Sequence, residues 1–209
     1  MKLINPKEQI HLGRISTSRT ELLDLIKAWL AISLAFAIIL GGSFFSFDFV
    51  SIFMIASLTV GLGFVTHEMA HKVVAQHYGC QAEFRSWDKM LLLAIFMAIL
   101  FKAIFVAPGA VFITGPVGKK RNGIISAAGA IANLIIAALF LSILLSPSLS
   151  MFYSIAGYGF MINTWLALFN MLPFWMFDGK KILNWNKAVY FTMVAVSIAF
   201  LLLQRIVMR

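Results

Sequence analysis

His67 and His71, in the run Thr66-His67-Glu68-Met69-Ala70-His71, bracket a glutamate at a spacing that metal chemistry uses. On a helix, residues four apart share a face, so both imidazoles can grip one ion while Glu68 points at whatever that ion activates. The chemistry served is metal-assisted hydrolysis, in which the ion acidifies a water and the carboxylate takes the proton. The competing reading is a chance pattern whose histidines bond to neighbouring helices. The surroundings argue against it, because the pattern lies in a hydrophobic run from Phe49 to about Tyr78, where ionisable side chains are costly and by default mark function.

A catalytic zinc needs a third protein ligand and an open fourth position. The remaining candidates are His11, His77, Asp48, Asp88, Glu83 and Asp178. His77 lies ten residues beyond His67, about 15 Å along the axis at the standard rise, too far for a shared ion. His11 sits in a polar N-terminal stretch and reads as solvated. Asp178 closes an apolar run and precedes Gly179, which makes it the strongest candidate; the alternative is a helix-terminal carboxylate beside Lys180 and Lys181. The lone cysteine, Cys80, excludes a four-cysteine metal site and an internal disulfide.

The elements that must position these groups are built for lipid. A chain of 209 residues that is 61% hydrophobic and 12% charged, with a mean hydropathy of +0.93, has too few polar side chains to cover a soluble globule. An all-α membrane protein is expected, as a single domain over 1–209 with its catalytic core at about 50–180. The net charge of +9 comes from basic residues in short loops between apolar runs, which fits the positive-inside rule and argues against nucleic acid as a partner. The polar stretch 1–20 lacks signal-peptide features, so the first span is expected to be retained as an anchor.

Crossing about 30 Å of hydrocarbon takes roughly 20 residues. Apolar runs occur at about 22–41, 50–77, 89–107, 122–146, 152–177 and 188–207. If 89–107 crossed, Lys119, Lys120 and Arg121 would face away from the basic N-terminus, and Asp178 would be separated from the two histidines. Making 89–107 re-entrant, with a return through Ala107-Pro108-Gly109, collects most Lys and Arg on one side. The expected topology is therefore about five transmembrane helices plus the re-entrant segment, in a multi-pass cell-membrane protein with a cytoplasmic N-terminus. Irregular backbone at membrane depth must be satisfied by protein or water, so the re-entrant segment should pack against the site. Cys80 to Arg85 and Gly109 to Gly115 carry strand-like patterns and predict a small β element on the cytoplasmic side.

The HEMAH run together with Asn170-Met171-Leu172-Pro173-Phe174-Trp175-Met176-Phe177-Asp178-Gly179 resembles the paired signature of the site-2 protease family of intramembrane zinc metalloproteases, HExxH with a distal N-x-x-P and DG. Gly129-Ala130-Ile131-Ala132-Asn133 is similar to a third family element, and the three together cover about 65–180. The resemblance implies one zinc per chain held by His67, His71 and Asp178, with Glu68 as general base and Asn133 as a polar group that helps hold substrate or transition state. It also implies a transmembrane protein substrate, cleaved within the bilayer near the cytoplasmic face in regulated intramembrane proteolysis. Such a substrate must unwind locally, and a sheet edge at 80–85 or 109–114 could hold the unwound strand by backbone pairing. The chain departs from the family at Phe174-Trp175-Met176-Phe177, where further prolines are usual, and at Ala130, where proline is common.

Simpler roles compete at several positions. Asn133 could be packing glue in a small-residue helix. Asn163 and Asn170 lie seven apart on one face and could tie their helix to neighbours, while the tryptophans read as lipid contacts and interfacial anchors. For the whole chain, the alternative is a catalytically silent or metal-transporting membrane protein using the same His and Asp groups. Glu68 separates the two, since transport needs ligands but no base.

Overall fold

The computed structural model describes residues 9–13, 15–41, 47–104 and 108–208; Ala107 of the expected return turn falls outside this set. Helices dominate, and among the described residues the strands form two two-stranded sheets. The chain divides into two compact units, Met1–Gly115 and Pro116–Arg209.

The first unit opens with a hairpin of β1 (Gln9–Leu12) and β2 (Ile15–Ser18). Its turn uses Gly13 at φ 64°, a left-handed conformation that glycine adopts without cost. Sequence reading passed over this hairpin, seeing only a polar stretch. Ser18 then caps helix α1 (Arg19–Leu40), its Oγ accepting the Glu21 amide at 3.1 Å.

A continuous apolar helix follows over Asp48–His77, made of α2 (Phe47–Ala56), one π-helical turn at Ser57–Gly61, and α3 (Leu62–His77). The π turn inserts a residue and rotates the face of everything after it by roughly 100°. Its neighbour α1 holds it there: the Trp29 indole donates to the Ser57 carbonyl at 3.0 Å, and a side chain at Gly61 would run into Trp29 and Ser33.

After Gly79 (φ 75°) ends α3, strands β3 (Gln81–Ser86) and β4 (Gly109–Thr114) pair antiparallel from Gln81 opposite Thr114 to Ser86 opposite Gly109. Both strands fall where sequence reading expected them. The Trp87 amide donates to the Pro108 carbonyl at 3.0 Å, so the intervening segment leaves and rejoins the sheet at one point. That segment contains α4 (Asp88–Phe101), about 21 Å long at 1.5 Å per residue and too short to cross about 30 Å of hydrocarbon. It runs alongside α1 in the same direction, with Asp88 pairing with Lys27 at 3.2 Å at its start. Past its end, Lys102 donates to the Ile38 carbonyl at 2.9 Å. Leu91, Ala94 and Ala98 form its buried stripe, whereas Leu92, Phe96 and Leu100 are exposed.

The second unit packs α5 (Lys119–Leu144) on α6 (Tyr153–Asn170) through small residues. Gly159 on α6 lies directly against the Phe140 ring of α5, where a side chain would collide, while Ala127 and Ala130 on α5 are buried against Met171, Ile182, Tyr190 and Met193. Short α7 (Asp178–Trp185) and long α8 (Lys187–Val207) complete the unit around Met171, Ile182, Tyr190 and Met193. The apolar run at 152–177 is not one helix: α6 stops at Asn170, because Pro173 disfavours helical backbone at the residue before it.

Among the described residues four helices, Arg19–Leu40, Asp48–His77, Lys119–Leu144 and Lys187–Val207, are long and apolar enough to cross a membrane, consistent with a membrane protein. The fifth expected crossing corresponds to α6, whose 18 residues reach only about 27 Å. Gly61→Val should destabilise the protein by about 1–3 kcal/mol through overpacking against Trp29, read as a lower thermal unfolding midpoint in detergent; an unchanged midpoint would remove the close approach at Gly61 as a constraint.

Candidate metal centre

Helix α3 carries His67, Glu68 and His71 near its middle, one and a half turns past the π turn. The two Nε2 atoms lie 3.0 Å apart, with the rings nearly perpendicular at a centroid separation of 4.6 Å. Two zinc–nitrogen bonds of about 2.0–2.1 Å at a tetrahedral angle place their nitrogens roughly 3.3 Å apart. The pair is therefore already close to the spacing one ion requires. Both imidazoles are buried, at 6% and 8% exposure, and Glu68 between them is half-buried.

Three side chains outside the motif fix the placement of α3 in its unit. Lys72, directly after His71, is 2% exposed and ion-paired with Glu21, which is wholly buried. The Glu21 carboxylate also accepts the Phe84 amide at 2.9 Å and the Thr17 hydroxyl at 2.8 Å. One helical turn beyond Lys72, the Gln76 side chain accepts the Ser16 amide at 3.0 Å and donates to the carbonyls of Ser16 and Ala82, both at 2.9 Å. Sequence reading missed this network. A signal exists for Lys72, a charge inside the apolar run 50–77; Glu21 precedes the run at 22–41 and carries none.

The other first-unit ligand candidates do not join the histidine pair. Glu83 bonds to the Ser18 hydroxyl and pairs with Arg85 at 2.9 Å. Asp88 pairs with Lys27, Asp48 is exposed, and His77 is exposed with its ring edge-on to Tyr78. The His11 side chain lies outside the described residues.

In the second unit, Asp178 is the first residue of α7 and is buried at 6% exposure. Its Oδ1 pairs with Lys181 at 3.2 Å. The following glycine is dictated by space, because a side chain at Gly179 would collide with the Met171 backbone carbonyl. That carbonyl is itself held by the Tyr190 hydroxyl at 2.9 Å. Before Asp178 the loop is tightly bent: Trp175 takes φ 51°, a strained value for a bulky residue, and Phe177 packs edge-on against Phe169 at 4.9 Å.

Asn133 is wholly buried on α5, and its Nδ2 donates to Asn163 Oδ1 at 3.1 Å. Asn163 in turn donates to the Gly159 carbonyl at 2.9 Å. The pair joins α5 to α6, which is the packing role weighed above for Asn133 and the tie to a neighbouring helix expected of Asn163. Asn170 instead donates back to the Leu166 carbonyl of its own helix.

Compared with known proteins, the chain is 39% identical over 176 residues to "Putative zinc metalloprotease MJ0611" of Methanocaldococcus jannaschii, a match covering 83% of this chain and 88% of that protein. No family model matches the chain, and no solved structure matches it.

Since loss of an outer-shell partner alone weakens metal binding about 10–100-fold, His67→Ala or His71→Ala should weaken zinc binding by at least that factor. Elemental analysis of detergent-purified protein after dialysis checks this; full zinc retention by both variants would exclude the pair as ligands.

Proposed function

Since the chain belongs to the same zinc metalloprotease family as that archaeal relative, we propose that it is an intramembrane zinc endopeptidase of the site-2 protease type, which cuts transmembrane segments of other membrane proteins near the cytoplasmic face. The observation that carries the reading is the pair of buried imidazole nitrogens 3.0 Å apart, flanking Glu68 on an apolar helix long enough to cross a membrane.

In this reading Asp178 completes the ligand set, and one zinc binds per chain. All three donor residues are buried and of the types zinc takes. Bound zinc would supply an acidified water and a polarised scissile carbonyl. Glu68 accepts the water proton and returns it to the amine nitrogen as the peptide C–N bond breaks. Asn133 helps hold the substrate, in addition to joining α5 and α6.

The segment between Trp87 and Pro108 is the re-entrant element, supported by the bond that closes its two ends together and by the shortness of α4. With α6 as a fifth crossing, the N-terminus is cytoplasmic and both units form one protease domain. Side chains of α1 and α3 occupy the outer edge of β3, Gln76 donating to the Ala82 carbonyl and Glu21 and Asp24 accepting the Phe84 and Ser86 amides. The far edge of β4, which pairs with no further strand among the described residues, is then the edge on which an unwound substrate strand docks.

Glu68→Gln should retain zinc and lose cleavage of a model transmembrane substrate; cleavage at the parent rate would sink the mechanism, and a metal-transport role would leave transport intact in this variant. Asp178→Ala should lower zinc stoichiometry, and undiminished zinc would remove it from the ligand set. Cysteines placed at Lys119 and Lys180 should be labelled from the same face of the membrane, and labelling from opposite faces would rule out the re-entrant topology.

A further inference from the structure

One buried carboxylate links the metal helix to the sheet. Glu21 has no exposed surface and bonds in two directions: to the Lys72 ammonium, one residue past His71 on α3, and to the Phe84 backbone amide on β3. Phe84 lies opposite Val111, near the centre of β4, so holding the Phe84 amide holds the middle of the sheet. The Phe84 ring, also wholly buried, meets Phe64 edge-on at 5.8 Å, and Phe64 lies one turn before His67. The sheet is thus attached to α3 on both sides of the histidine pair, at Phe64 and at Lys72.

A buried ion pair is a poor way to gain stability, since two apolar residues of similar volume commonly do as well or better. What it supplies is a fixed geometry, because a carboxylate bonded to Lys72, the Phe84 amide and the Thr17 hydroxyl has little freedom to move. We propose that Glu21 is a positioning residue of the hydrolytic site, its carboxylate bridging Lys72 and the Phe84 amide so that β4 presents a bound strand at the correct distance from His67 and His71. The inference rests on the protease reading, in which β4 holds the substrate.

The charge-neutral pair Glu21→Gln with Lys72→Met removes the ion pair without stranding either charge and leaves an acceptor for the Phe84 amide. It should keep the parent's thermal midpoint and zinc stoichiometry, because it touches neither histidine. Substrate should still pair with β4 but lie misplaced, and a shift of about 1 Å costs on the order of 100-fold in rate. The expected result on a transmembrane substrate is therefore a large fall in kcat with little change in KM. Glu21→Asp keeps the ion pair but shortens the bridge by one methylene; it should show the same kcat-only loss and carries the test if the double variant does not fold.

Parental kcat in either variant overturns the proposal, as does a loss that appears in KM or in zinc content. Parent protein that binds zinc and cuts no transmembrane substrate would instead overturn the protease reading, and the positioning role with it. The two failures are distinguished by the parent's own activity.

Discussion

The constraint on which the first unit depends is the removal of two opposite charges, Glu21 and Lys72, from water at the junction of α1, α3 and β3. Deleting either partner would leave a buried charge unpaired, at a cost of about 3–5 kcal/mol. The surrounding sequence supports the pair. Ser18 caps α1 so that Glu21 enters the first helical turn in the right orientation, and Thr17 and the Phe84 amide supply further donors to its carboxylate. Gln76 then ties the N-terminal hairpin to the same end of α3. The face of α3 that carries Lys72 and Gln76 is committed to structure, and the adjacent face is left to His67 and His71.

A second constraint comes from lipid, where backbone groups without partners are costly. Across the π turn at Ser57–Gly61 the Ser57 carbonyl accepts the Leu62 amide, and the Trp29 indole adds a second donor from α1. Lys102 follows the same logic. Past the end of α4 its ammonium donates to the Ile38 carbonyl near the C-terminus of α1, where a cation also complements the helix dipole. Residues that look misplaced by composition are therefore satisfying backbone that lipid cannot.

The second unit uses close approach instead of charge. Asn133 and Asn163 are an island of polarity in a small-residue interface, and Gly179 lets the start of α7 lie against the Met171 carbonyl. The bent Phe174–Phe177 loop, with Trp175 in the left-handed region, turns the chain sharply between the end of α6 and Asp178.

The sequence by itself determined the metal-binding pattern, the apolar helices and the two strands around α4, because each depends on spacing within one short segment: four residues for the histidines, alternation for β3 and β4, length for the spans. Only the tertiary structure decided what holds those segments. Glu21 and Lys72 are 51 residues apart in the chain, and Asn133 and Asn163 are 30 apart. No local period connects such pairs, so their partners are set by which helix faces meet. The same is true of the N-terminal hairpin, whose strands are too short and polar to be distinguished from a loop until Gln76 and Glu83 bind to β2.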